Sequence, residues 1–265
     1  MRHYTILRSE CTFLPEIVIA RDAALLATDA AGRFVAVAQD AVKKRGHFAV
    51  ALAGGSTPAA LYRLLAQGPF RDEVNWGCTS IYFDDERCVP PDHPDSNYRM
   101  AREALLDHVP IPKANIHRMP AELAPQDATA AYSSVLRREF DLRGSARPRL
   151  DLILLGMGDD GHTASLFPGM PALEERRKLV AATPAPPYAR PAVPRLTLTL
   201  PVLNAACCVV FLVSGASKAG AVAHALLSGP DSGDPVPARR VCPREGSLVW
   251  LLDEAAAAGM GQERG

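Results

Sequence analysis

Apolar residues fall along this chain in two alternating patterns: short, almost unbroken runs, and longer stretches in which they return every three or four positions. PEIVIA (15–20), HFAVALAG (47–54), CTSIYF (78–83), LDLILLG (150–156), RLTLTL (195–200), CCVVFLVSG (207–215) and SLVWLL (247–252) are of the first kind and predict strands. LDLILLG is nearly all aliphatic, as a strand covered on both faces should be, whereas RLTLTL alternates strictly. Between these runs the helical period predicts helices over 22–44, from PAALYRLLA onward, over 96–108 behind the N-cap Ser96, over 125–143, and over SKAGAVAHALL. ANIHRM (114–119) reads as a short strand and the alanine-rich tail after Asp253 as a terminal helix. Proline-rich stretches at 183–194 and 229–237 read as surface connections. Strands separated by helices imply a mostly parallel α/β sheet with helices on both faces. The expectation is a single domain over 1–265, core about 15–253, with room for a small appended lobe between 85 and 145.

Composition narrows the function classes. Lys+Arg and Asp+Glu both number 29 among 265 residues, so no global field draws nucleic acid or an acidic membrane surface. Any anion site must be built locally. The six cysteines, at 11, 78, 88, 207, 208 and 242, form no C-x-x-C pair and read as reduced, packed thiols. No histidine cluster suggests a metal. Charges and a proline interrupt the first twenty residues, which read as neither signal peptide nor membrane span, and the expected location is cytoplasmic.

Ligands of open α/β sheets bind beyond the carboxyl ends of the strands. Four sequence-distant stretches occupy such positions here. AGGSTP (53–58) sets two glycines, two hydroxyls and a helix-opening proline between strand and helix, a backbone cradle suited to phosphate at Gly54, Gly55 and Ser56. No lysine follows those glycines, so this is not a Walker loop, and a plain capped turn is the alternative. A phosphate monoester also wants cations. Arg195, at the entry of RLTLT, and Lys218, in VSGASK, can supply them. FDDER places Arg87 after a buried strand, where Asp84 and Asp85 either hold it toward the cleft or leave it to a surface ion pair.

GMGDDGH (156–162) satisfies the G-x-G-x-x-G pattern, but Asp159 and Asp160 would repel a pyrophosphate. Pro168 and Gly169 also arrive too soon for the helix of a nucleotide-binding unit. A carboxylate two residues from a histidine suits proton transfer instead: Asp160 orients His162, whose free nitrogen accepts a proton near neutrality. The bland alternative is a histidine bonded to nearby backbone.

Taken in order, AGGSTP, DDER followed by DSNYRMA, DLILLGMGDDGHTASLFPG, RLTLTLPVLNAA, VSGASKA and SLVWLLDEAA resemble the 6-phosphogluconolactonase family over about residues 15–253. The stretch 151–169 is the most specific. The resemblance implies a Rossmann-like sheet without a nucleotide. It implies hydrolysis of 6-phospho-D-glucono-1,5-lactone to 6-phosphogluconate, with no cofactor and no metal. The implied partner is a small phosphosugar lactone; the expected assembly is a monomer or weak homodimer. It also implies His162 as general base beside Asp160, Arg87 at the lactone end, and the phosphate among Gly54, Gly55, Ser56, Arg195 and Lys218. Backbone amides of the 156–162 turn are expected to assist Arg87 at the oxyanion. The wider group includes the glucosamine-6-phosphate deaminases, whose corresponding turn carries a glutamate shortly after the histidine; the aligned residue here is Phe167. A deaminase-like phosphosugar enzyme and a non-catalytic phosphosugar-binding module are the alternatives.

Overall fold

The computed structural model describes residues 2–5, 15–227 and 236–261. The first strand, β1 (Arg2–Thr5), runs antiparallel to β2 (Glu16–Ala20) at one edge of a seven-stranded sheet. Helix α1 (Ala23–Arg45) follows. It begins where the Asp22 carboxylate accepts the Leu25 amide at 2.9 Å and ends at Gly46, whose φ of 73° closes the last turn in the left-handed region. The chain continues through β3 (Phe48–Leu52), α2 (Ser56–Leu65), the single turn α3 (Phe70–Glu73), β4 (Thr79–Phe83), β5 (Asp85–Arg87) and α4 (Asn97–Ala101). It then runs through α5 (Pro125–Glu139), β6 (Leu152–Leu155), β7 (Val180–Thr183) and β8 (Arg195–Leu198). The single turn α6 (Leu200–Leu203), β9 (Cys208–Val213), α7 (Ala219–Leu227) and β10 (Ser247–Asp253) complete it.

The large sheet has the order β1-β2-β10-β9-β6-β3-β4, and every pair from β2 to β4 is parallel. Every residue of β3, β4 and β6 is buried, as a strand covered on both faces requires. Trp250 of β10 lies opposite Phe211 of β9 and stacks on it at 4.0 Å between ring centroids. On the α1 side, Phe34 meets Phe48 edge-on at 5.3 Å. Two polar groups inside this core are paired: the Tyr62 hydroxyl donates to the Ala53 carbonyl at 2.8 Å, and Asp151 accepts the Ala49 amide at 2.8 Å while holding Arg45.

The order of the strands places the cleft. From β3 the chain moves outward to β4, whereas from β6 it moves the opposite way, to β9 and then β10. Because β3 and β6 are hydrogen-bonded neighbours, their carboxyl ends flank the point where the winding reverses, where a crevice opens.

The α/β sheet and its main strands stand where the hydrophobic pattern puts them, with several corrections. The small lobe is a three-stranded antiparallel sheet in the order β5-β8-β7, so it recruits residues 180–198 as well as 85–87 and is not made by 85–145 alone. ANIHRM forms a tight turn over Lys113–Asn115 and a single bridge from Ile116 to Ile81. The expected 96–108 helix is α4 followed by a wider turn over Arg102–Leu106. The segment after Asp253 is a series of turns ending in a short 3-10 turn, Ala258–Met260. Cys78, Cys88, Cys207 and Cys208 are free thiols, but Cys242 is disulfide-bonded, which corrects the reading of reduced thiols throughout. Most of the proline-rich stretch at 229–237 lies outside the described residues. Among the described residues no helix is long and apolar enough to cross a membrane.

Replacing Trp250 by Ala removes the largest fully buried side chain of the core. The expected loss is about 3–5 kcal/mol of unfolding free energy, read from the urea midpoint at unchanged slope.

Candidate active site

The crevice beyond β3 and β6 is a cleft of about 220 Å³, lined by residues from five separate stretches. They are Ala53–Pro58 after β3, Asp84, Asp85 and Arg87 around β5, Gly156–Gly158 with His162–Ala164 after β6, Arg195, and Ser214 with Lys218 after β9. Seven of the eight residues expected to form the site therefore share one cavity; Asp160 stands directly behind it, bonded to His162.

The loops after β3 and β6 lie close together: a Cβ placed on Gly156 would lie 3.8 Å from the Gly54 carbonyl oxygen. At Gly55, φ is 105°, a conformation glycine adopts without strain, and this residue caps α2. Among the described residues no side chain caps that helix. The capped-turn reading of Ser56 and Thr57 is thus not observed, and the first amides of a ten-residue helix face the cleft with its positive dipole end behind them.

After β6 the chain folds into a hydrogen-bonded turn. Gly158 N–H donates to the His162 carbonyl at 2.8 Å, Gly161 N–H to the Gly158 carbonyl at 3.0 Å, and Thr163 Oγ1 to the Gly156 carbonyl at 2.8 Å. Asp160 Oδ1 accepts both the His162 amide at 3.0 Å and Nδ1 at 2.6 Å. Burial alone would raise the Asp160 carboxyl, but the hydrogen bonds and charge of His162, with a hydrogen bond from Tyr188, outweigh it and hold the group well below the usual carboxylate range. An ionised Asp160 accepts only, so Nδ1 carries the proton and Nε2 is left as the basic nitrogen. The amides of Gly158, Gly161 and His162 are committed within the turn, which narrows the backbone donors expected to assist at the oxyanion to the remaining amides of 156–162.

The cationic wall comes from the small sheet. In the antiparallel β5–β8 ladder, Arg87 lies directly opposite Arg195. Like charges at such a pairing repel, and here both Nε atoms are buried and have no hydrogen-bond partner among the described residues. Arg87 is held by neither Asp84 nor Asp85; its Nη1 donates to the Asp95 carbonyl at 2.8 Å. Burial lowers the Arg195 pKa, Asp85 raises it and Arg87 lowers it again. The Arg195 guanidinium lies 5.6 Å over the ring of Phe167, which in turn meets the His162 ring at 4.4 Å. Two facing arginines with unused donors are an arrangement able to accept an anion. Lys218 is tied to Asp159 at 2.5 Å, so its charge is partly committed.

Several supporting residues escaped the sequence reading. Glu86 accepts the amides of Asn97 and Tyr98 and the Ser96 hydroxyl, which fastens α4 to β5. Asn97 donates to Asp85 at 2.7 Å and packs so closely on Gly54 that a Cβ there would lie 2.1 Å from its Oδ1. Ser165 donates to Asp85 at 2.5 Å, tying the turn after β6 to the small sheet. Burial, then the charge of Asp85, pushes the Asp84 carboxyl well above its ordinary range. The sequence signal for this network is S-N-Y (96–98) eleven residues after D-E-R (85–87), legible only once β5 and α4 are known to touch. Tyr188, whose hydroxyl reaches Asp160, carried no signal. Among the described residues no group of three or more His, Cys, Asp or Glu side chains is arranged to hold a metal.

A family model described as glucosamine-6-phosphate isomerases/6-phosphogluconolactonase matches residues 21–250. The chain is 45% identical over 223 residues to a 6-phosphogluconolactonase of Synechocystis sp., covering 83% of this chain and 88% of the relative. It is 44% identical to one of Rattus norvegicus, covering 80% of each. Its fold superposes on a 6-phosphogluconolactonase from Trypanosoma cruzi with a TM-score of 0.84 at 28% identity, covering 96% of this chain and all of that one (100%). With strand order, cleft and sequence in agreement, the chain belongs to the glucosamine-6-phosphate isomerase/6-phosphogluconolactonase family.

Proposed function

We propose that this protein hydrolyses 6-phospho-D-glucono-1,5-lactone to 6-phospho-D-gluconate, with His162 as the general base. One observation carries this reading: an imidazole held by a carboxylate at 2.6 Å shares a small cleft with two paired arginines that have unused donors. The relatives named 6-phosphogluconolactonase at 44–45% identity support the same activity.

The phosphate is taken by the amides at Gly54, Gly55 and Ser56, with Arg195 and Lys218 supplying charge. Nε2 of His162 removes a proton from water as it adds to the lactone carbonyl carbon. Arg87 meets the oxygen that gains negative charge, and Asp160 stabilises the imidazolium. When the tetrahedral intermediate collapses, the ring oxygen leaves with the proton His162 has just taken. Atoms balance, with one water consumed and the base regenerated.

Phe167 argues against the deaminase alternative. It occupies the position where those enzymes carry a glutamate, is buried, and presents an aromatic face to His162 with no proton to exchange. A purely binding module has no use for an oriented base.

Gly158 makes the arrangement sterically possible. A Cβ at that position would lie 2.1 Å from His162 Nδ1 and 2.6 Å from Asp160 Oδ1, so any side chain there displaces the imidazole. His162→Ala is expected to lower kcat/KM for the lactone by about 10²–10⁴-fold, the ordinary worth of a positioned base. Gly158→Ala should lose a similar factor while its circular dichroism and urea midpoint stay near those of the parent protein. Unchanged turnover in His162→Ala, measured by the pH change on lactone opening, contradicts the role of the imidazole. Ammonia release from glucosamine-6-phosphate should be undetectable, and its detection would favour the deaminase alternative.

A further inference from the structure

The loop joining β7 to β8 carries Tyr188, more than half of which is open to solvent, yet its hydroxyl donates to Asp160 Oδ2 at 2.6 Å. Since Oδ1 of the same carboxylate serves the amide and Nδ1 of His162, Asp160 is held at both oxygens and by three donors. We propose that Tyr188 is a positioning residue: it locks the Asp160 carboxylate in the rotamer that aims the His162 imidazole into the cleft. This rests on the assignment of His162 as the base.

The loop is built to keep Tyr188 there. Its two ends are strands paired with one another, with Thr183 opposite Arg195. Inside the loop the Ala189 amide donates to the Pro186 carbonyl at 2.9 Å. Arg195 Nη2 donates to the carbonyls of Arg190 and Pro191 at 3.3 and 3.4 Å. One segment thus touches the acid–base pair through Tyr188 and the anion-binding wall through Arg195. Without the tyrosine, Oδ2 would have no partner among the described residues, and the carboxylate would be free to turn about its last torsion, exchanging the oxygen offered to Nδ1. The hydroxyl remains a donor throughout the neutral range, because partial burial and the charge of Asp160 push its pKa up to about 12.

Tyr188→Phe in the full chain keeps the ring and removes only the donor. The expected result with the phospholactone is a kcat about tenfold lower at unchanged KM, because a hydrogen bond to a charged group is lost away from the substrate. A second readout is independent of turnover. The Nδ1–H proton of the short Asp160–His162 bond should give a far-downfield resonance, absent from His162→Gln and moved or broadened in Tyr188→Phe. A kcat equal to that of the parent protein overturns the proposal, as does a loss carried by KM, which would make Tyr188 a substrate contact. If His162→Gln itself retains turnover, the assignment of the base fails; if His162→Gln is inactive and Tyr188→Phe is unchanged, only the role of Tyr188 falls.

Discussion

The 2.6 Å hydrogen bond between Asp160 and His162 can form only because the chain leaving β6 turns sharply enough to bring residues two apart face to face. Gly161, at φ 78°, supplies the turn, and Gly158 leaves the volume in which the imidazole lies. The next residue but one, Ala164, is driven to φ 49°, an uncommon conformation for a residue with a side chain, and it too lines the cleft. Ser165 then fastens the segment to Asp85. A tight, internally bonded turn is a rigid support. It fixes which imidazole nitrogen carries the proton and directs the other outward.

The second constraint is electrostatic. With equal numbers of acidic and basic residues, the chain has no overall charge with which to attract an anion. It concentrates cations instead, by pairing two strands so that Arg87 and Arg195 stand opposite one another. That pairing is repulsive, and Asp85, Phe167 and the carbonyls of Asp95, Arg190 and Pro191 offset part of its cost. On the proposed function, a phosphate or carboxylate would take up the unused donors. Repulsion that persists until a ligand arrives is a preference for that ligand.

Much of this was legible in the amino-acid sequence, because the parallel strands are solid apolar runs and the loops after them carry glycines. LDLILL could be little else than a buried strand, and the two carboxylates of GMGDDGH, which would repel a pyrophosphate, argued against a nucleotide at that turn. The small sheet was hidden. Asp85–Arg87 is a strand of three charged residues, and Val180–Thr183 is too short and too plain to signal pairing. Both are strands because RLTL lies between them and supplies the ladder, a tertiary override of local preference. For that reason the neighbours of each arginine, the capping role of Glu86 and the reach of Tyr188 to Asp160 were not readable from spacing.

The most direct test of the account is a crystal structure with 6-phospho-D-gluconate bound. The phosphate is expected among Gly54, Gly55, Ser56, Arg195 and Lys218, with the carboxylate within hydrogen-bonding reach of His162 Nε2 and Arg87. A product lying the other way round, or one whose carboxylate points away from the imidazole, would contradict it.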